Sequence, residues 1–234
     1  MESRSEIVLV TGAAGNLGRA VASAFAGRGA ALVLLDQRRD LLEKTFGAED
    51  DRRVFAPTDL LDQSQMNATA AAAVARFGRI DVLCNLAGGF RMGEAVHETS
   101  DDTWTFLFDI NTRTLLHTVR AVVPHMLAGG GGRIVNVGSA AALHGVGQMG
   151  AYTAAKSAVI RLTEAMAAEL RERNVNVNCV LPTVIDTPVN RAAMPDADPS
   201  RWVSPDDLAN VILFLASPAA RAIHGAALPV SGLS

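Results

Sequence analysis

The chain has 234 residues, of which 49% are hydrophobic, 19% charged and 5% aromatic, with 21 Lys and Arg against 24 Asp and Glu. That length and apolar content suit one α/β domain with a substantial core and exclude a disordered or fibrous chain. The slightly negative balance offers no basic face for nucleic acid.

Five histidines show no ligand spacing, and Cys84 and Cys179 each sit inside an apolar run. Buried reduced thiols are therefore expected, with no metal centre and no disulfide. With neither a signal peptide nor an apolar run of membrane-spanning length, a cytoplasmic location is expected, with no membrane partner.

In chain order, the apolar run at residues 7–10 is predicted as a buried strand. It leads into "TGAAGNLGRA", where Gly12, Gly15 and Gly18 open a helical pattern over residues 16–29. Glycines let a backbone approach a pyrophosphate, and a helix N-terminus offers free amides and the positive end of its dipole. Strand, glycine turn and helix in this order point to a dinucleotide, the plain alternative being a tight turn.

A second strand, 31–36, ends in Asp36, about twenty residues beyond the turn. A carboxylate there accepts from both adenosine ribose hydroxyls and repels a 2′-phosphate, so NAD(H) is preferred. NADP(H) stays open, because Asp36 could instead cap a following helix and Arg38 or Arg39 could receive the phosphate.

A third strand at 53–57 precedes an Ala-rich helix at 62–77, which suits close packing on a sheet. A fourth strand is predicted at 81–88. A long helical pattern over 100–128 stops at "GGGG" (129–132). The strand at 133–139 ends in Ser139, at the sheet edge where doubly wound folds bind ligands. The helix at 150–173 opens with Tyr152 and Lys156, four residues apart and so on one face.

A strand at 175–182 follows, then an irregular segment at 184–203 with Pro188, Pro195 and Pro199, then a helix at 204–216 and a strand at 226–232. The alternation predicts a single-domain Rossmann fold over 1–234, a doubly wound parallel seven-stranded sheet with helices on both faces. The 184–203 loop is long enough to be functional, and is read as the substrate loop.

The pieces "TGAAGNLG", Asp36, "TDL" (58–60), "NLAG" (85–88), Asn111, "NVGS" ending at Ser139, "YTAAK" (152–156) and "LPTVIDTP" (181–188) occur in an order and spacing that resemble the short-chain dehydrogenase/reductase family. The resemblance covers essentially the whole chain, including the thirteen-residue step from Ser139 to Tyr152. It implies an NAD(P)(H)-dependent oxidoreductase interconverting a small-molecule secondary alcohol and a ketone.

The resemblance makes Tyr152 the acid/base, Lys156 its electrostatic helper and a ribose ligand, Ser139 the group that positions the substrate oxygen, and Asn111 part of a water-linked proton relay. It implies cofactor contacts from Gly12, Gly15, Asn16, Leu17, Gly18, Asp36, Asp59, Leu60, Asn85, Ala87, Gly88, Tyr152, Lys156, Pro182, Ile185 and Thr187. A free tyrosine titrates near about 10, and a neighbouring ammonium is expected to favour its phenolate. Asn85 also reads as a structural turn residue, and Thr187 as a helix cap before Pro188.

The chain departs from the family pattern at Asn16, where glycine is usual, and at Thr183, where glycine commonly follows the proline. The Gly15 spacing is that of extended family members. The short lobe at 181–208 resembles dihydropteridine reductases. A 3-oxoacyl thioester reductase and a dihydropteridine-type reductase therefore stand as alternatives. A non-catalytic dinucleotide-binding sensor is the alternative of another class, against which the Ser139, Tyr152 and Lys156 set argues.

Phe90, Met92, His144, Met149 and Trp202 are candidates to border the pocket. Apolar residues on more than one face of 100–128 (Leu107, Leu115, Val119, Val122) and of 150–173 (Ala158, Leu162, Ala165, Leu170) predict a homodimer or homotetramer.

Overall fold

A sheet buried on both sides needs apolar residues at every position of its strands, because successive side chains point to opposite faces. The computed structural model, which describes residues 5–233, builds the apolar runs into one all-parallel seven-stranded sheet. Of the domain expected over 1–234, residues 1–4 and 234 lie outside the described residues.

Strands β1 (Ile7–Thr11), β2 (Ala31–Asp36), β3 (Arg53–Pro57), β4 (Val82–Asn85), β5 (Gly132–Val137), β6 (Val175–Pro182) and β7 (Ala227–Val230) lie in the order β3-β2-β1-β4-β5-β6-β7. Helices α1 (Asn16–Gly27), α2 (Arg39–Phe46), α3 (Gln63–Phe77), α4 (Asp101–Phe108), α5 (Thr114–Ala128), α6 (Gly150–Leu170), α7 (Pro188–Ala193) and α8 (Pro205–Leu215) connect them.

Register keeps the two faces distinct. Leu9 pairs with Val33 on one side and Leu83 on the other, and all three face α3, α5 and α6 through Met66, Val122, Met126 and Ile160. Val8, Val10, Leu32, Leu34 and Val135 face α1 and α8 through Val21, Phe25 and Ile212. A one-residue slip would exchange the two sets. α3 starts at Asp62, whose carboxylate accepts from Ser64 N (2.8 Å) and Gln65 N (3.1 Å), and it buries Met66, Ala70 and Ala73 along one stripe.

The structure corrects the sequence reading in several places. α2 was not expected, because it buries only Leu42 and so leaves no apolar period to read. The helix at 100–128 is two helices joined by a π turn over Asp109–Arg113. The 184–203 segment is not wholly irregular: Thr187 accepts from Asn190 N (3.2 Å) to start α7. Val203 N to Val184 O (2.9 Å) and Asp186 N to Val203 O (2.8 Å) close its ends. β4 stops at Asn85, short of residue 88, and β7 pairs only over Ala227–Val230.

The residues cited for apolar character on more than one face fall mostly inside the chain. Leu107, Leu115, Val119, Val122 and Leu170 are buried within the chain, Ala158 and Leu162 are half-buried, and Ala165 is exposed. The exposed large apolar side chains on these layers are instead Trp104 (49% exposed), stacked on Phe108 at 4.4 Å, together with Phe214 (43%) on α8 and Leu228 on β7. Cys84 and Cys179 are buried free thiols. Among the described residues no helix is long and apolar enough to cross a membrane.

Candidate active site

The strand order reverses at β1, whose neighbours β2 and β4 lead to opposite halves of the sheet. Open parallel sheets bind ligands beyond the carboxyl ends of strands at such a point. A cleft of about 330 Å³ lies there, lined by Gly12, Gly15, Asp36, Asp59, Leu60, Ala87 and Gly88 among others.

Its floor is the turn from β1 to α1. Gly12 has φ +62°, and a Cβ on Gly18 would meet Gly12 O at 2.2 Å, so the helix can close onto the turn only without a side chain at position 18. α1 starts at Gly15 and Asn16 with no side-chain cap and no acidic residue in its first turn. By contrast α3, α4 and α8 are capped by Asp62, Ser100 and Ser204. The first amides of α1, those of Asn16, Leu17 and Gly18, have no intrahelical acceptor and suit an anion.

Asp36 lines this cleft, and its Oδ2 accepts from Ala14 N (3.1 Å), so it braces the glycine turn and caps no helix. Arg38 is paired with Asp40, and Arg39 with Glu43 (2.9 Å) and Glu49. Thr183, in place of glycine, has no positive φ and donates from its hydroxyl to Ser231 O (3.0 Å), tying β6 to the exit of β7. The residues present thus fit a dinucleotide: a glycine cradle, free amides for its phosphates and a carboxylate beyond β2.

Thr11 was not singled out in the sequence. Its hydroxyl accepts from Leu86 N (3.0 Å) and Ala87 N (3.2 Å), which joins the end of β1 to the end of β4. Its only sequence signal is its place between a strand and the glycine turn. Asn85 donates to Asn136 Oδ1 on β5 (2.9 Å), while its own buried Oδ1 has no partner among the described residues; it lies beside a small cavity also lined by Thr11, Asn111 and Thr114.

Asn111 lies in the π turn, where the helical ladder widens by one residue. Its Nδ2 donates to Gly89 O (2.9 Å) and Leu107 O (3.0 Å), and its Oδ1 accepts from Gly89 N (3.2 Å). A Cβ on Gly88 would lie 2.9 Å from Asn111 Oδ1 and 3.2 Å from Lys156 Nζ, so that glycine is wedged between the two side chains.

Tyr152 and Lys156 sit on the first turns of α6. The small Ala151 and Ala155 on the same helix let it approach Leu107 of α4. The Tyr152 ring meets Phe90 edge to face at 4.8 Å and lines a second cleft, of about 200 Å³, with Met92, Leu107 and Met149. Of the remaining candidates for the pocket border, His144 is exposed and Trp202 half-buried, and neither lines this cleft.

Burial raises the Tyr152 phenol above its ordinary value, and a hydrogen bond with the Ser139 side chain opposes this. Lys156 follows one helical turn later on α6. Its buried ammonium donates to Val137 O (2.8 Å), because a desolvated cation takes the acceptor within reach, and burial lowers it to about 8. Pro182 ends β6, and Ile185 O accepts from Asn190 Nδ2 (2.8 Å). Thr187 is engaged as the cap of α7, the alternative the sequence left open.

A family model described as short chain dehydrogenase matches residues 6–198. The chain is 38% identical to D-threitol dehydrogenase of Mycolicibacterium smegmatis, over 97% of this chain and 92% of that protein. It is 33% identical to (-)-trans-carveol dehydrogenase of Rhodococcus erythropolis, over 96% and 95%. The crystal structure of carveol dehydrogenase from Mycobacterium avium in complex with NAD superposes with a TM-score of 0.89 at 31% identity, over 97% of this chain and 96% of that one.

The buried Lys156 makes stability depend on pH. Its folded value, about 8, is below the usual 10.5, so above pH 8 the folded chain releases a proton that the unfolded chain retains. Stability from this group is thus lowest below pH 8 and rises with pH until the unfolded lysine titrates. Relative to Lys156→Met, the parent should gain about 1 kcal/mol of unfolding free energy between pH 7 and pH 9. Urea unfolding of both chains measures this, and equal pH responses would contradict it.

Proposed function

Because the chain belongs to the short-chain dehydrogenase family and is an NAD(P)-dependent oxidoreductase, we propose that it interconverts a secondary alcohol and a ketone with Tyr152 as the acid/base. The observation that carries this reading is Tyr152 itself, half-buried beside the Ser139 side chain and lining a cleft of about 200 Å³. The whole chain acts as one cofactor-binding domain, with 184–203 as its substrate loop. The alcohols named for the relatives, threitol and carveol, support the reaction class.

Bound nicotinamide supplies or accepts the hydride. Tyr152 gives its proton to the carbonyl oxygen in reduction and takes it from the alcohol in oxidation. Ser139 hydrogen-bonds the same oxygen and, through the phenol, counters the effect of burial. Lys156 is a cofactor ribose ligand held ready by Val137 O. Asn111 acts as a positioning residue: its amide is spent on Gly89 and Leu107, so the relay expected of it does not run through that side chain. Gly12, Gly15, Asn16, Leu17 and Gly18 hold the pyrophosphate, and Asp36, Asp59 and Leu60 line the adenosine end. Asn85, Ala87 and Gly88 line the adenosine ribose from the end of β4, and Pro182, Ile185 and Thr187 flank the nicotinamide side.

A substrate cleft of about 200 Å³ is below the ~300–1,000 Å³ of sites for drug-sized ligands and favours a compact alcohol over a pterin. The buried free thiols Cys84 and Cys179 support a reducing, cytoplasmic setting.

Replacing Tyr152 by Phe removes the proton donor and keeps the ring against Phe90. Turnover should fall by about two orders of magnitude while cofactor binding persists. Near-parent reduction of a ketone panel by the Phe variant would refute the assignment, and a parent inert toward every ketone would favour the sensor reading.

NAD preference rests on Asp36 in the cleft and on Arg38 and Arg39 being held by carboxylates. Asp36→Ala should weaken NADH binding and narrow the gap to NADPH; a parent that binds NADPH more tightly in fluorescence titrations would overturn the preference. The exposed Trp104, Phe214 and Leu228 support assembly into a homodimer or homotetramer. Light scattering should give a multimeric mass that falls in Phe214→Glu, whereas a monomeric parent would rule the assembly out.

A further inference from the structure

The 200 Å³ cleft that Tyr152 lines also contains Arg91. The Arg91 guanidinium stacks 3.8 Å from the centroid of the Phe106 ring. Stacking uses the flat face of the cation and leaves its edge donors free. Among the described residues those donors have no hydrogen bond, and no carboxylate lies within ion-pair distance, unlike Arg38, Arg39 and Arg191, which are held by acidic partners.

Glu94 borders the same cleft and the Arg91 charge acts on it at longer range, but its carboxylate oxygens accept from Ser100 N (3.0 Å), Ser100 Oγ (3.3 Å) and Thr103 Oγ1 (3.0 Å). The loop carrying Arg91 is fixed on both sides. A Cβ on Gly89 would be 3.1 Å from Phe106 Cζ, so loop and ring are in close contact, and Gly93 N donates to Gln148 O (2.9 Å) just before α6. The residue before Arg91, Phe90, lies against the Tyr152 ring. An oriented cation with unused donors thus stands in the cleft of the phenol, and a carboxylate is the planar acceptor that its fork matches.

We propose that the substrate is a compact hydroxy or keto acid whose carboxylate is read by Arg91. This specificity rests on the Tyr152 oxidoreductase reading and extends it. Near neutral pH an aliphatic carboxylate is ionised, so the pairing is charge-assisted, whereas the same carbon skeleton as a methyl ester offers only a neutral carbonyl.

The test uses NADH-dependent reduction of 4-oxopentanoate and methyl 4-oxopentanoate by the parent and by Arg91→Gln. Calorimetric titration of both proteins with unreactive pentanoate accompanies it. Arg91 is exposed, so the variant should keep its fold, with unchanged circular dichroism.

In the parent, kcat/KM should favour the acid over the ester by about tenfold or more, and pentanoate should bind. In the variant the preference and pentanoate binding should be lost, while ester reduction stays within about twofold. An ester preference in the parent, an equal loss for acid and ester, or pentanoate binding that is absent or indifferent to Arg91 would overturn the proposal. Should neither ketone be reduced while pentanoate binding depends on Arg91, the anion site stands and the redox reading fails.

Discussion

The site depends on the joint between the ends of β1 and β4. Thr11 of β1 accepts hydrogen bonds from the Leu86 and Ala87 amides just past β4. A Cβ on Gly12 would lie 3.0 Å from Ala87 Cα, so the two backbones touch where the strand order turns. From that joint the β4 exit runs to Gly88 and Gly89, which Asn111 grips and Lys156 borders. One contact therefore couples the glycine turn to the helical segments that carry Tyr152 and Asn111. A side chain at position 88 or 18 would disturb both ends of the site together.

That joint is supported by buried polar groups. Asn85 donates to Asn136 across β4 and β5, and Asn136 donates to Thr163 of α6 (2.9 Å), so an amide chain links the sheet to the helix that carries the reactive pair. Buried polar chains hold geometry when they are satisfied and cost stability where they are not. The Asn85 Oδ1, without a partner among the described residues, and the desolvated Lys156 are both costs of this kind; the first lines the small cavity and the second lies beside Gly88 of the larger cleft. Sites accept such local losses because function needs groups that folding alone would not bury.

The π turn over Asp109–Arg113 has a similar character. It interrupts the regular ladder between α4 and α5 and turns the Asn111 amide onto the Gly89 backbone, while Thr112 donates to Ala155 O on α6 (3.0 Å). The irregularity thus ties α4, α5 and α6 to the loop beyond β4, and that loop goes on to Phe90, against the Tyr152 ring, and to Arg91, in the cleft that Tyr152 lines.

Much of this was legible in residue order. Apolar runs of strand length alternating with helical patterns determine a parallel doubly wound sheet, because parallel strands need long crossovers and both faces must be covered. The glycine turn, Asp36, Ser139, Tyr152 and Lys156 were legible for the same reason: each stands at a fixed place relative to the end of an element. What only the tertiary structure decided involves partners far apart in sequence. Tyr152 and Lys156 share a helix face, and the lysine also reaches Val137 O at the end of β5, a partner that spacing along one helix does not show. Leu107, Leu115, Val119 and Val122 were read as spread over more than one face, one of them left exposed, and all four proved to be core, since periodicity gives the direction of a side chain and not what covers it. Arg91 carried no sequence signal at all. Its meaning comes from Phe106 and Tyr152, which the fold brings to it from two other helices.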